Sequence, residues 1–130
     1  MASGKVWPAL LAFLLFPVSG VAGPASYKCE IHDYLGASPT GQFQPQAWSK
    51  KSGSFNVARR SGWIVGDWLG NAAAAEIRVT SPGDKEWSFR VASFFKTGEV
   101  SVLEVHEYAD GAKKPFLALV SGGVLTGLCE

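Results

Sequence analysis

From Tyr27 onward, apolar and polar residues alternate in short runs separated by Gly, Pro, Asp and Ser. A two-residue period marks strands, because successive side chains point to opposite faces of a sheet. "YKCEIH" alternates well enough for a first strand. In "SFNVARR", Phe55, Val57 and Arg59 share one face, and Asn56, Ala58 and Arg60 share the other. "WIVGDW" follows across Ser61-Gly62, where a glycine can take positive φ at little cost. The two runs read as a hairpin, with both arginines at the end of a strand beside its turn. Ile77 and Val79 alternate with Arg78 and Thr80. "EWSFRVASFF" sets Trp87, Phe89 and Val91 on one face, which makes Trp87 the core candidate among the tryptophans. Phe94-Phe95 breaks the period, as a bulge or strand end does. "VSVLEVHEY" has Val100 and Val102 on one face but Leu103 and Val105 on the other, so a bulge or a two-sided environment is implied. "KPFLALVSGGVLTGLC" gives two more strands around Ser121–Gly123.

Turn signals separate these runs: "RSG", "SPGD", "KTG", "ADG" and "SGG". Pro82 and Gly83 suit the central positions of a type II turn, and Asp110-Gly111 is a favoured hairpin pair. Ala72 to Ala75 favour at most a short helical turn. From Asp33 to Lys51 the chain is rich in Gly, Pro, Gln and Ser and reads as a long loop, with Leu35, Phe43 and Trp48 as its anchors. No segment is long enough for a crossover helix, which argues against a parallel α/β sheet. The expected fold is all-β, a small antiparallel barrel of about eight strands that hides its edges, with a two-sheet sandwich as the alternative.

The first residues follow a different pattern. In "MASGKVWPALLAFLLFPVSGVAGPAS", Lys5 precedes an apolar run from Val6 to Val18, and small residues follow. That order is a secretory signal peptide. The run is shorter than the ~20 residues of a helical membrane span, and Pro8 and Pro17 interrupt it. Cleavage after Ala22 or after Ala25 suits the small-residue rule, so residues 1–25 are assigned approximately to the leader and 26–130 to a single β domain. Cys29 follows "SYK"; Tyr27 and Lys28 are not the small residues that lipid attachment needs. The whole chain has 12 Lys and Arg against 11 Asp and Glu. Removing Lys5 with the leader balances them, so net charge gives no strong attraction to a polyanion. The destination is periplasmic or extracellular. The only two cysteines, Cys29 and Cys129, then meet an oxidising compartment and are expected to pair.

Candidate chemistry is sparse. Glu104 and His106 share a strand face, but two ligands do not close a metal site. The carboxylates Asp84, Glu86, Glu99, Glu104 and Glu107 are scattered, whereas a glycosidase needs two flanking one bond. No nucleophile or zinc-hydrolase motif falls in a suitable context. No catalytic residue, metal or cofactor is therefore assigned. The basic pairs Lys50-Lys51, Arg59-Arg60 and Lys113-Lys114 are offset by acids, and export removes nucleic acid as a partner. Four of the five tryptophans lie beyond the leader, at 48, 63, 68 and 87. Core packing is expected to claim two or three of them. Trp48, Arg59, Arg60 and Trp63 form the candidate recognition surface, because aromatic and arginine anchors dominate protein interfaces.

The runs "FNVARRSGWIVG", "VHEYADGAKKPF" and "TGLC" resemble a group of small, uncharacterised exported bacterial proteins, over nearly all of the chain beyond the leader. More distantly, the early "YKC", the antiparallel body and the late cysteine are similar to the layout of small β-barrel inhibitors of c-type lysozyme. Those inhibitors place a serine-glycine motif with a nearby tyrosine in the lysozyme cleft. Here "KKSGSFNV" has Ser52 and Gly53 with no tyrosine following, and "LVSGGVLTG" also lacks one. The expected function is an exported noncatalytic binding module for a protein or glycan of the cell envelope. The alternative is a cell-wall-related hydrolase or a lysozyme-type inhibitor.

Overall fold

The computed structural model describes residues 23–46 and 53–130, together with residue 4. The assigned leader apart from residues 4 and 23–25, together with Trp48 and Ser52, lies outside the described residues. Nine strands follow one another: β1 (Ser26–Ala37), β2 (Phe43–Pro45), β3 (Gly53–Ala58), β4 (Ile64–Gly66), β5 (Glu76–Pro82), β6 (Phe89–Phe94), β7 (Val100–Val105), β8 (Lys114–Val120) and β9 (Gly123–Cys129). All pair antiparallel in one sheet of order β4-β3-β1-β9-β8-β7-β6-β5, with β2 on the far end of β1. Among the described residues there is no helix.

The sheet curls into a half-barrel around one core. Phe55 of β3 meets Phe116 of β8 edge-on, with ring centroids 5.0 Å apart. Tyr27 of β1 meets Phe89 of β6 at 5.5 Å. Neither pair is adjacent in the sheet, so only curvature brings them together. The inward positions follow the two-residue period: Phe55 and Val57 on β3, Leu103 and Val105 on β7, Phe116 and Ala118 on β8. Burying such a side chain contributes roughly 1.5–3 kcal/mol.

Several sequence expectations need correction. β1 does not end at His32. Its pairing with β9 shifts between Ile31 and Asp33, and this bulge uses one extra residue. Inward positions before it are Tyr27, Cys29 and Ile31; after it they are Tyr34 and Gly36. The strand therefore runs on into what reads as loop, and β2 pairs with its last residues. Phe43 is exposed rather than an anchor. Ala72–Ala75 form a turn without helix. Trp87 is 67% exposed instead of core, because β6 begins only at Phe89 and Trp87 belongs to the loop before it. β7 needs no bulge. Ser101, Leu103 and Val105 point inward, while Val102 joins an outer row with Leu119, Val124 and Leu35 across β8, β9 and β1.

Cys29 and Cys129 form a disulfide. Lys28 and Glu130 exchange both backbone hydrogen bonds at 2.9 Å, so the adjacent Cys29–Cys129 pair is the non-hydrogen-bonded kind. That kind brings side chains closer across a ladder, which is why the bond fits there.

Candidate functional site

At one end of the sheet three connections meet: the β3–β4 turn, the β5–β6 loop and the β7–β8 loop. Arg59 ties the first to the second. Its Nη2 donates to the carbonyls of Pro82 (2.6 Å) and Gly83 (2.9 Å), and its Nη1 donates to Pro24 O (3.2 Å). The guanidinium lies 5.1 Å from the centroid of the Tyr27 ring. The Tyr27 hydroxyl donates to the Glu107 carboxylate, and this reaches the third loop. Burial and that hydrogen bond push the Tyr27 phenol well above its ordinary value, against the opposing charge of Arg59. Tyr27 and Arg59 are both buried.

Each of the three connections carries an exposed aromatic residue. Trp63 follows the β3–β4 turn and is 48% exposed. The turn itself is set by Gly62 at φ 75°, whose N–H donates to Ala58 O. Trp87 stands in the β5–β6 loop. There the Asp84 carboxylate accepts from the backbone N–H of Glu86 (2.7 Å) and Trp87 (2.8 Å), an Asx-type turn that sets the indole's position. Tyr108, half-exposed, stacks on His106 in the β7–β8 loop, with ring centroids 5.3 Å apart. The cluster of buried Tyr27 and Arg59 with half-buried Glu107 is thus a base from which three aromatic side chains project.

Of the residues expected to form a recognition surface, Arg60 and Trp63 are exposed at this end. Arg59 is 5% exposed and serves as the clip beneath. Trp48 lies outside the described residues. Gly53 sits under the Trp68 ring, too close for any side chain of its own. Trp87 and Tyr108 were not expected at the site. The signal for Trp87 was "GDKEW", where an Asp three residues before an aromatic inside a turn presents it outward. Tyr108 carried no such signal, because "VHEY" continues the strand pattern.

A shallow open depression of about 320 Å³ lies on the convex face of β1, β3 and β9. Its rim mixes Lys28 and Lys113 with Glu30, Asp67 and Glu130, and His32 is beside them. His106 Nε2 is 3.7 Å from Glu104, which also pairs with Arg90 at 3.3 Å. Among the described residues, no three His, Cys, Asp or Glu side chains gather as a metal site would require. No helix among them is long and apolar enough to cross a membrane. No protein-family model, curated protein or solved structure matches the chain.

Proposed function

We propose that the protein is an exported, noncatalytic binding module, and that the end bearing Arg60, Trp63, Trp87 and Tyr108 holds a protein or glycan of the cell envelope. One observation carries this reading. Three exposed aromatic residues project from separate connections that the Tyr27–Arg59–Glu107 cluster ties together. Trp, Tyr and Arg are the residues that most often dominate binding energy at interfaces. Holding them on a rigid base lowers the ordering cost of association. The charges nearby are mixed, which suits an uncharged or amphoteric partner better than a polyanion. The leader pattern supports export, and the Cys29–Cys129 bond is compatible with an oxidising destination.

The test is capture from solubilised envelope and from purified peptidoglycan, run with wild type and with the Trp63→Ala and Trp87→Ala variants. The expected outcome is one partner whose affinity falls at least tenfold in each folded variant. A partner retained equally by both variants would place the binding surface elsewhere.

A further inference from the structure

Two bonds satisfy the small-residue rule for leader removal: Ala22–Gly23, with Gly20 upstream, and Ala25–Ser26, with Gly23 upstream. The fold distinguishes them. We infer that the leader is cut between Ala22 and Gly23, so that Gly23 begins the working protein with its new α-ammonium group beside the Glu107 carboxylate. This inference rests on the exported reading above.

Residues 23–25 are built into the domain. Pro24 O accepts from Arg59 Nη1 at 3.2 Å, and Ala25 O accepts from the Arg59 backbone N–H at 3.0 Å. Cutting after Ala25 would withdraw both acceptors from a residue that is 5% exposed. Gly23 itself suits this place in the fold. It holds φ +95°, and a methyl group added there would come within 2.5 Å of Arg59 Nη1 and 2.6 Å of Glu107 Oε1. A glycine whose positive φ is part of this end of the fold belongs to the domain, not to a discarded leader.

The chemistry is hydrolysis by a signal-peptidase-type enzyme with water as the co-reactant. The amide C–N bond breaks, the hydroxyl joins the Ala22 carbonyl carbon, and the nitrogen leaves with the proton as the amine of Gly23. That amine, with an ordinary value of about 7.7–8.0, is protonated at neutral pH. In the uncut chain the same nitrogen is a neutral amide. Processing therefore adds a positive charge next to Glu107, which already accepts from Tyr27 and lies near Arg59. The carboxylate serves as counter-charge to both cations, and maturation tightens the base of the aromatic-bearing end.

The full chain is exported in a secretion-competent bacterium, and the periplasmic protein is examined by N-terminal sequencing and intact mass. Gly23 as the first residue is the expected result. A chain beginning at Ser26 overturns the inference and leaves export intact. A periplasmic chain retaining Met1 overturns removal of the leader, and absence of the protein from the periplasm overturns export itself. The exported Glu107→Gln variant provides a second readout: the same cut, with a melting temperature lower by a few degrees. An unchanged melting temperature would overturn the role given to Glu107.

Discussion

The sheet is joined in two different ways on its two sides. Between β1 and β9, a backbone ladder from Gly36–Gly123 to Lys28–Glu130 is reinforced by a covalent bond. Between β4 and β5, the two ends of the strand order, the described residues form no ladder. That opening is bridged by side chains. Arg59 reaches from the end of β3 to the carbonyls of Pro82 and Gly83. Asn71, 1% exposed, accepts from Ile64 N–H at 2.7 Å and donates to Gly62 O (2.7 Å) and Ser93 Oγ (3.1 Å). Gly62 fits against Val91, Ile77 and Val79, where a side chain would collide. The difference shows that the open side of a curled sheet can be bridged without strand pairing, by a few buried polar groups that hydrogen-bond across it. The two edge strands also carry ordinary edge protection: β4 has three residues, and β5 alternates Glu76, Arg78 and Thr80 outward.

The largest effect is expected at the covalent side. The disulfide spans 100 residues of sequence, and a loop of that size loses about 4.7 kcal/mol of unfolded-state entropy in the chain-entropy model. Replacing both cysteines by serine should lower the unfolding free energy by about 3–5 kcal/mol in urea titration. A loss below about 1 kcal/mol would mean that the β1–β9 ladder holds this side without its cross-link.

The side-chain-bridged opening should be the next most sensitive. Asn71→Ala strips partners from a buried N–H, a buried carbonyl and a buried hydroxyl, and should cost about 2–4 kcal/mol. Arg59→Lys should cost about 2–3 kcal/mol, because an ammonium cannot reproduce a planar fork aimed at carbonyls on two segments. Both losses are read by the same titration. If either variant is as stable as wild type, the opening is held by apolar packing around Gly62 instead.

The same contrast explains what could be read from sequence. Alternation exposed β3, β6, β8 and β9, and cysteine count together with the leader pattern pointed to the disulfide, because both signals are local or compositional. The long β1 was missed beyond His32, since the bulge changes which residues face inward and "DYLGA" no longer alternates in phase. Arg59 lay on the inward face with Phe55 and Val57, yet an arginine beside a turn reads as surface. Only its partners from distant segments, Pro24 to Tyr27 and Pro82-Gly83, justify burying it. Asn71 sits in an alanine-rich turn with nothing in its neighbours to mark it. Three tryptophans, Trp63, Trp68 and Trp87, proved exposed, against the general tendency of indoles to fill cores. Side chains that close a fold across long sequence distances leave no local periodicity, and neither do aromatics presented by turn geometry.

A smaller, pH-dependent effect is expected beneath the aromatic-bearing end. The Tyr27 phenol is raised from 10.0, first by burial and then by donation to Glu107. Above that unfolded value, the unfolded chain releases the phenolic proton while the folded chain keeps it. The folded state then binds more protons, so its stability is complete below about pH 10 and falls as pH rises further. The slope from this one group is at most ~1.4 kcal/mol per pH unit. Lysines titrate in the same range, so the difference between wild type and Tyr27→Phe isolates the tyrosine. Parallel stability curves for the two proteins from pH 9 to 11 would remove Tyr27 from the base of the site.

The smallest stability effect should come from the side chains proposed to bind the partner. Trp87 is 67% exposed and Trp63 48%, so truncating either removes little buried surface. Trp87→Ala should change unfolding free energy by less than about 1 kcal/mol, where a core tryptophan would cost about 3–5 kcal/mol. Trp63 lies closer to the turn and should cost slightly more. The Asp84 carboxylate that positions Trp87 can be removed separately. Asp84→Ala keeps the indole but frees the loop, so it should weaken capture of the envelope partner while leaving the melting temperature near that of wild type. If Asp84→Ala binds as wild type does and Trp87→Ala does not, the indole matters but its fixed position does not. If both bind normally, the three aromatic residues are exposed for a reason other than recognition. If both weaken binding and neither unfolds the protein, the rigid base and the projecting rings work as one site.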